Sequence, residues 1–155
     1  MGWTHWRDCT LTVVSRYAAV RAGAQALGVR AVDSPESEKG LSYTIRSGLD
    51  ALDLQDGDFI VFVVADQPYL TAETVARLLD AAEPGVRMVR VVFGERRGNP
   101  NLFCAALAPA LRALEGDEGG RELLRGAGED GKDSFVKDLE QKALAWWQGC
   151  PLPEK

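Results

Sequence analysis

Three stretches of the 155-residue chain set polar groups among small or flexible residues: EKGLSYTIRSG (38–48), ADQP (65–68) and RRGNPNLF (96–103). The first offers backbone amides and the hydroxyls of Ser42, Tyr43, Thr44 and Ser47 around the start of a helix, where the positive end of the helix dipole favours an anion. The same residues serve equally as a plain helix cap. In the second, Asp66 is a carboxylate placed to hold a divalent ion whose other positions are filled by water and phosphate oxygens. Its local alternative is an Asx turn before Pro68. In the third, Gly98 lets backbone approach a ligand and Arg96 or Arg97 meets a phosphate, against the alternative of a solvated loop.

The surrounding sequence supplies elements to position these groups. Phe59 to Ala65 is an unbroken apolar run, too short for a membrane span and too continuous for a strand with one wet face. It predicts an inner strand of a parallel sheet, with Asp66 at the carboxyl end where such sheets bind ligands. Leu11–Val14 and the stretch VRAVDS read as short strands. Between them Tyr17, Val20, Ala24 and Leu27 recur at helical spacing before Gly28. The polar loop SPESEKG leads to a helix with Leu41, Ile45, Leu49 and Leu52 on one face. Thr71 is a natural N-cap for a helix striped by Val75, Leu78, Leu79 and Ala82, and Arg87–Phe93 reads as a further strand. Strands alternating with helices predict an α/β fold with a mainly parallel, Rossmann-like sheet covered by helices on both faces.

The second half is more broken. GERRGNP reads as a glycine-bounded loop before the apolar run Leu102–Ala106. Pro109–Leu114 and Arg121–Arg125 read as short helices, and Phe135–Trp147 as a last one.

Length fits one domain, residues 1–155, and a composition 46% apolar and 26% charged provides both core and surface. The net charge of −5 argues against a nucleic-acid backbone as partner, since such binding draws on clustered Lys and Arg. A small anion remains compatible through local positive charge or a bridging metal. Cys9, Cys104 and Cys150 have no paired spacing and read as reduced thiols. No apolar leader or spanning run is present, so the expected location is the cytoplasm. His5 falls in no recognisable motif, and Trp146 and Trp147 read as packing groups.

In order, GLSYTIRSGL, VVADQPYLTAETVARLL, GNPNLF and LEGDEGGRELL resemble the MobA-like nucleotidyltransferase domain over residues 11–125, nearest its molybdenum cofactor cytidylyltransferases. The resemblance implies transfer of a nucleotide from CTP or GTP to a phosphorylated molybdopterin, with Mg²⁺ and release of pyrophosphate. It implies Asp66 as the metal-binding acid. Gly40, Ser42, Thr44, Gln67 and Pro68 would lie beside the nucleotide; Gly98, Asn99, Pro100, Asp117 and Gly119 would lie beside the acceptor. Thr44 stands where the family usually has a second Ser. The family opens with a strand and a glycine-rich loop of the form Leu-Ala-Ala-Gly-x-Ser-x-Arg, and no such segment occurs here. The expectation is therefore an N-terminally truncated fold whose sheet has a gap or is rearranged. The family's late Asp-x-Asp is also missing, with Asp133 and Asp138 as substitutes. The alternative function is a catalytically degenerate binding or partner protein, which would pair through an exposed sheet edge or the paired Trp with another chain, such as a second copy of itself.

Overall fold

The computed structural model describes residues 9–68, 70–93, 96–120, 123 and 134–136. They divide into two compact units, one of residues 1–58 with 105–130 and one of 59–104 with 131–155. The predicted helices at 121–125 and beyond residue 136 lie outside the described residues, as do His5, Asp133, Asp138, Trp146, Trp147 and Cys150.

The first unit starts with a β-α-β crossover. Strand β1 (Thr12–Val14) pairs in parallel with β2 (Arg30–Val32), and helix α1 (Ala18–Ala26) joins them. Gly28, at φ 72°, follows the end of α1 in the left-handed region that a side chain disfavours. The expected apolar stripe of α1 is buried only at Ala24; Tyr17, Val20 and Leu27 are exposed. Helix α2 (Leu41–Asp50) buries Ile45 and Leu49 but leaves Leu41 outside. A Cβ on Gly48 would stand 3.2 Å from Val14 Cγ2, so the missing side chain lets α2 lie close to β1. A 3₁₀ turn (Ala105–Leu107) runs into α4 (Ala108–Arg112), where Leu107, Leu111 and Leu114 are buried. Arg112 ties α4 to α2 through the Asp50 carboxylate at 3.1 Å and the Leu49 carbonyl at 3.1 Å.

The second unit holds a four-stranded sheet in the order β3-β5-β4-β6, formed by Phe59–Phe62, Arg96–Cys104, Met88–Phe93 and Ser134–Val136. Helix α3 (Ala72–Asp80) connects β3 to β4. Thr71 caps it as expected, its hydroxyl accepting from the Thr74 N–H at 3.3 Å. Leu78 of α3 meets Val89, Val91 and Leu102 of the sheet in a core flanked by Phe59, Val61 and Leu79.

Four expectations are corrected here. The described strands form two sheets rather than one, and only β1-β2 and β4-β6 pair in parallel. The cause is local: β5 follows β4 after two residues, which forces an antiparallel hairpin, and β5 then inserts between β4 and β3, antiparallel to both. The segment containing Gly98, Asn99 and Pro100 is therefore strand rather than loop. The apolar run that starts at Phe59 is strand only to Phe62. Among the described residues β3 pairs on one edge only, and Val63 and Val64 beyond it are 50% and 37% exposed. Lastly, Phe135, expected to open a helix, lies in β6, where an aromatic and a β-branched residue suit an added strand.

These burials make opposite demands at two apolar positions. Leu78→Ala should cost about 3 kcal/mol of stability, whereas Val63→Ala should change it by less than about 0.5 kcal/mol, both read from urea denaturation midpoints.

Candidate functional site

The residues singled out from sequence fall into one cluster in each unit. In the first, the turn Glu115–Glu118 folds over the start of α2. Glu118 donates its N–H to the Glu115 carbonyl at 2.9 Å, and its carboxylate accepts from the Glu115 N–H at 2.8 Å. Gly116, at φ 51°, presents its carbonyl to the Ser42 N–H at 3.0 Å. Gly40 precedes α2 at φ 135°, and a Cβ there would stand 2.2 Å from the Gly116 carbonyl atoms and 2.8 Å from the Asp117 nitrogen. No side chain fits, so glycine at position 40 is a steric requirement as well as a conformational one.

This contact brings together Gly40 and Ser42, which the resemblance set beside the nucleotide, and Asp117 and Gly119, which it set beside the acceptor. It also takes up part of their hydrogen-bonding capacity. Ser42 is fully buried, its amide is spent on Gly116, and its Oγ accepts from Arg46 Nη2 at 3.3 Å. That amide is a backbone clasp and is not free to meet an anion. Gly119 packs on Leu41, where a Cβ would come within 3.0 Å of Cδ2. Asp117 is exposed, and Thr44 is half-buried within α2. Gly116 was missed from sequence, where the LEGDEGG stretch pointed only to Asp117 and Gly119.

The second cluster lies where β3 ends. Asp66 is exposed in the turn directly after Val63 and Val64, and Pro68 is exposed beyond it. Gln67 donates from Nε2 to the Asn99 carbonyl at 3.2 Å and so joins the two motifs across 32 positions of sequence. Asn101 donates from Nδ2 to Asn99 Oδ1 at 2.6 Å. The donors of Gln67 and Asn101 are thus used on Asn99, while the buried oxygens Gln67 Oε1 and Asn101 Oδ1 have no hydrogen-bond partner. Buried acceptors left unmet cost roughly 1–3 kcal/mol each, which makes this corner a place for a ligand donor or water. Asn101 escaped the sequence reading because its neighbours looked like a loop, and a loop side chain has no fixed facing.

Pro100 is buried after a cis Asn99–Pro100 bond. Gly98 is exposed, and a Cβ there would meet only ordinary contacts, 3.6 Å from the Val91 carbonyl oxygen. The side chains of Arg96 and Arg97 lie outside what the structure describes. Among the described residues no group of three or more His, Cys, Asp or Glu is placed to hold a metal.

The model of the MobA-like NTP transferase domain family matches residues 5–133. The chain belongs to that family. It is 33% identical over 109 residues to the purine catabolism protein PucB of Bacillus subtilis, an overlap of 66% of this chain and 52% of PucB. It is 41% identical over 76 residues to the bifunctional protein GlmU of Maricaulis maris, 48% of this chain and 16% of GlmU. The chain therefore spans about half the length of the first relative and less of the second. Among solved structures it is similar to Rv0371c from Mycobacterium tuberculosis, with a TM-score of 0.65 at 21% identity over 84% of this chain and 68% of that one. The manganese complex of Rv0371c gives a TM-score of 0.64 over 83% and 68%, also at 21% identity. At that identity the likeness establishes the fold alone. No helix among the described residues is long and apolar enough to cross a membrane.

The clasp makes a graded prediction. Gly40→Ala, which drives a Cβ into backbone, should cost about 3 kcal/mol. Gly116→Ala, which points into open space and meets only the left-handed penalty, should cost about 1 kcal/mol. Thermal unfolding of the two variants beside the parent chain measures both.

Proposed function

We propose that the chain acts, as one domain in the cytoplasm, as a nucleotidyltransferase of the molybdenum cofactor type. It would take CTP or GTP as donor and a phosphorylated molybdopterin as acceptor. The observation that carries this reading is the junction of the ADQP and GNP motifs through Gln67 and Asn99, which sets an exposed Asp66 beside a corner of unmet acceptors. Family membership supplies the reaction class. The preference for the cytidylyltransferase branch rests on the order of the four motifs.

In the reaction an oxygen of the acceptor phosphate attacks the α-phosphorus of the triphosphate. A P–O–P linkage forms, the bond from the α-phosphorus to its leaving bridging oxygen breaks, and pyrophosphate departs with that electron pair. Asp66 would hold Mg²⁺. A lone exposed carboxylate fits this ion, which keeps several waters and takes its remaining ligands from substrate phosphates. When bound, the ion would offset negative charge on the phosphates. The manganese complex of Rv0371c is in keeping with a divalent metal on this fold. Gln67 and Pro68 would border the nucleotide. Asn99, with Gly98 and Pro100, would border the acceptor, and the unmet oxygens of Gln67 and Asn101 would accept from ring or amino N–H groups of a heterocycle. Gly40, Ser42, Thr44, Asp117 and Gly119 belong to the other unit, where the Gly40–Gly116 contact would hold the start of α2 in shape.

A second reading, a binding or partner protein, draws support from the exposed Tyr17, Val20 and Leu27 on α1. It predicts a dimer with no turnover. Titration calorimetry with CTP, GTP and ATP in the presence of Mg²⁺, together with an assay for released pyrophosphate, separates the two. The transferase reading expects metal-dependent binding of at least one nucleotide, weakened about tenfold or more by Asp66→Asn. Absence of binding at millimolar nucleotide would overturn it.

A further inference from the structure

Helix α2 has a second functional face. Tyr43, Arg46, Ser47 and Asp50 recur on it at helical spacing, and with Pro35 and Glu36 they line an open cavity of about 330 Å³. That volume is at the small end of ligand sites. Tyr43, Arg46 and Ser47 fall within GLSYTIRSGL, yet the transferase reading gives no role to them or to the rest of this lining, so the inference stands independently of it.

The charges around the cavity do not cancel. Glu36 is paired with Lys39, a hydrogen bond that holds the Glu36 carboxyl below its usual range and raises the Lys39 ammonium. Asp50 accepts from Arg112 Nε at 3.1 Å. Among the described residues Arg46 enters no ion pair, though its charge also acts on the nearby Glu36 carboxylate. Its guanidinium lies 4.3 Å from the centroid of the Tyr43 ring, and its hydrogen bond is the long one, 3.3 Å, to Ser42 Oγ. A guanidinium has five N–H donors in a fixed fork, so most of this one's capacity is unspent. Lys39 Nζ lies 5.6 Å from the centroid of the same ring. Ser47 is fixed beside them, its hydroxyl donating to the Tyr43 carbonyl at 3.0 Å and lying 3.1 Å from Ser34 Oγ.

We propose that this cavity binds a small phosphate monoester, with Arg46 as the oxyanion anchor and the Tyr43 ring as an apolar wall for the organic part. The guanidinium fork suits the paired oxygens of a phosphoryl group. Glu36 and Asp50 on the same wall would repel a longer polyphosphate, which limits the site to a single phosphoryl group.

The test is an amide chemical-shift titration of the full chain with inorganic phosphate, with acetate and ATP as parallel probes. Phosphate should shift Tyr43, Arg46 and Ser47, and Arg46→Gln should weaken its binding about tenfold or more. Arg46→Lys, which keeps the charge and loses the fork, should weaken it about threefold. Equal shifts in Arg46→Gln, no response to phosphate, or a response to acetate or ATP as strong as that to phosphate would each overturn the assignment. Should Arg46→Gln fail to fold, Arg46→Lys carries the test, and phosphate affinity there equal to the parent's would overturn it. Asp66→Asn should leave this titration unchanged, so its failure and that of the transferase reading are separately visible.

Discussion

Strand β5 uses the hydrogen-bonding groups of both its edges, and the unit of residues 59–104 depends on that double pairing. Met88 and Val89 of β4 stand opposite Phe103 and Leu102, while Ile60 and Val61 of β3 stand opposite the same two residues from the other side. Leu102 and Phe103 are accordingly fully buried, and Phe103 meets Phe62 edge-on at 5.8 Å. Backbone pairing and apolar burial act together here: each lets the other exclude water, which neither a lone hairpin nor an isolated apolar cluster can do. The polar tip of the same strand then has a fixed place. Asn99 and Asn101 receive Gln67 in a set geometry because the strand beneath them cannot slip without turning Leu102 outward.

The first unit is held to shape by a different device. There a pair of glycines replaces side-chain packing with direct backbone contact, and the Gly116 carbonyl caps the Ser42 amide at the start of α2. The turn that carries Asp117 and the helix that carries Tyr43, Arg46 and Ser47 are thereby one rigid object. The Ser34–Ser47 contact and the bonds from Arg112 to α2 tie its remaining sides. A helix start closed in this way has given up one of the amides that would otherwise seek an anion, so the anion-binding capacity of α2 lies along its flank, at Arg46.

Much of this was legible in residue order because local chemistry decides it. Thr71 caps α3 since a hydroxyl before an apolar stripe has little better to do, and Gly28 follows α1 since a positive φ is required there. The motif order likewise pointed to the family that the comparison establishes. What could not be read was anything settled by distant partners. The run from Phe59 to Ala65 has one apolar character throughout, yet it leaves the sheet after Phe62, where its pairing with Asn101 ends. The GNP segment has the composition of a loop, and it is strand because Arg96 and Arg97 find Phe93 and Val92 opposite them across a hairpin. The Tyr17, Val20 and Leu27 stripe has the periodicity of a buried face, and periodicity does not say whether anything lies against it.

Charge pairing sets a limit on how the chain can meet a polyanion. Arg16, Arg21, Lys39, Arg77 and Arg112 each lie against a carboxylate, of Glu38, Asp33, Glu36, Glu73 and Asp50 in turn. Exposed pairs of this kind are worth only about 0–1 kcal/mol each, yet a cation leaving one to reach a phosphate leaves a carboxylate behind to repel it. In a chain of net charge −5 that exchange gains little. In the proposed transfer a triphosphate would therefore be better met by a divalent ion at Asp66 than by side chains already matched, because such an ion would add two positive charges and strip none from a partner. Arg46 follows the opposite logic: among the described residues it enters no ion pair and so breaks none on meeting an oxyanion, while Glu36 and Asp50 in the same lining set how much negative charge the cavity will admit.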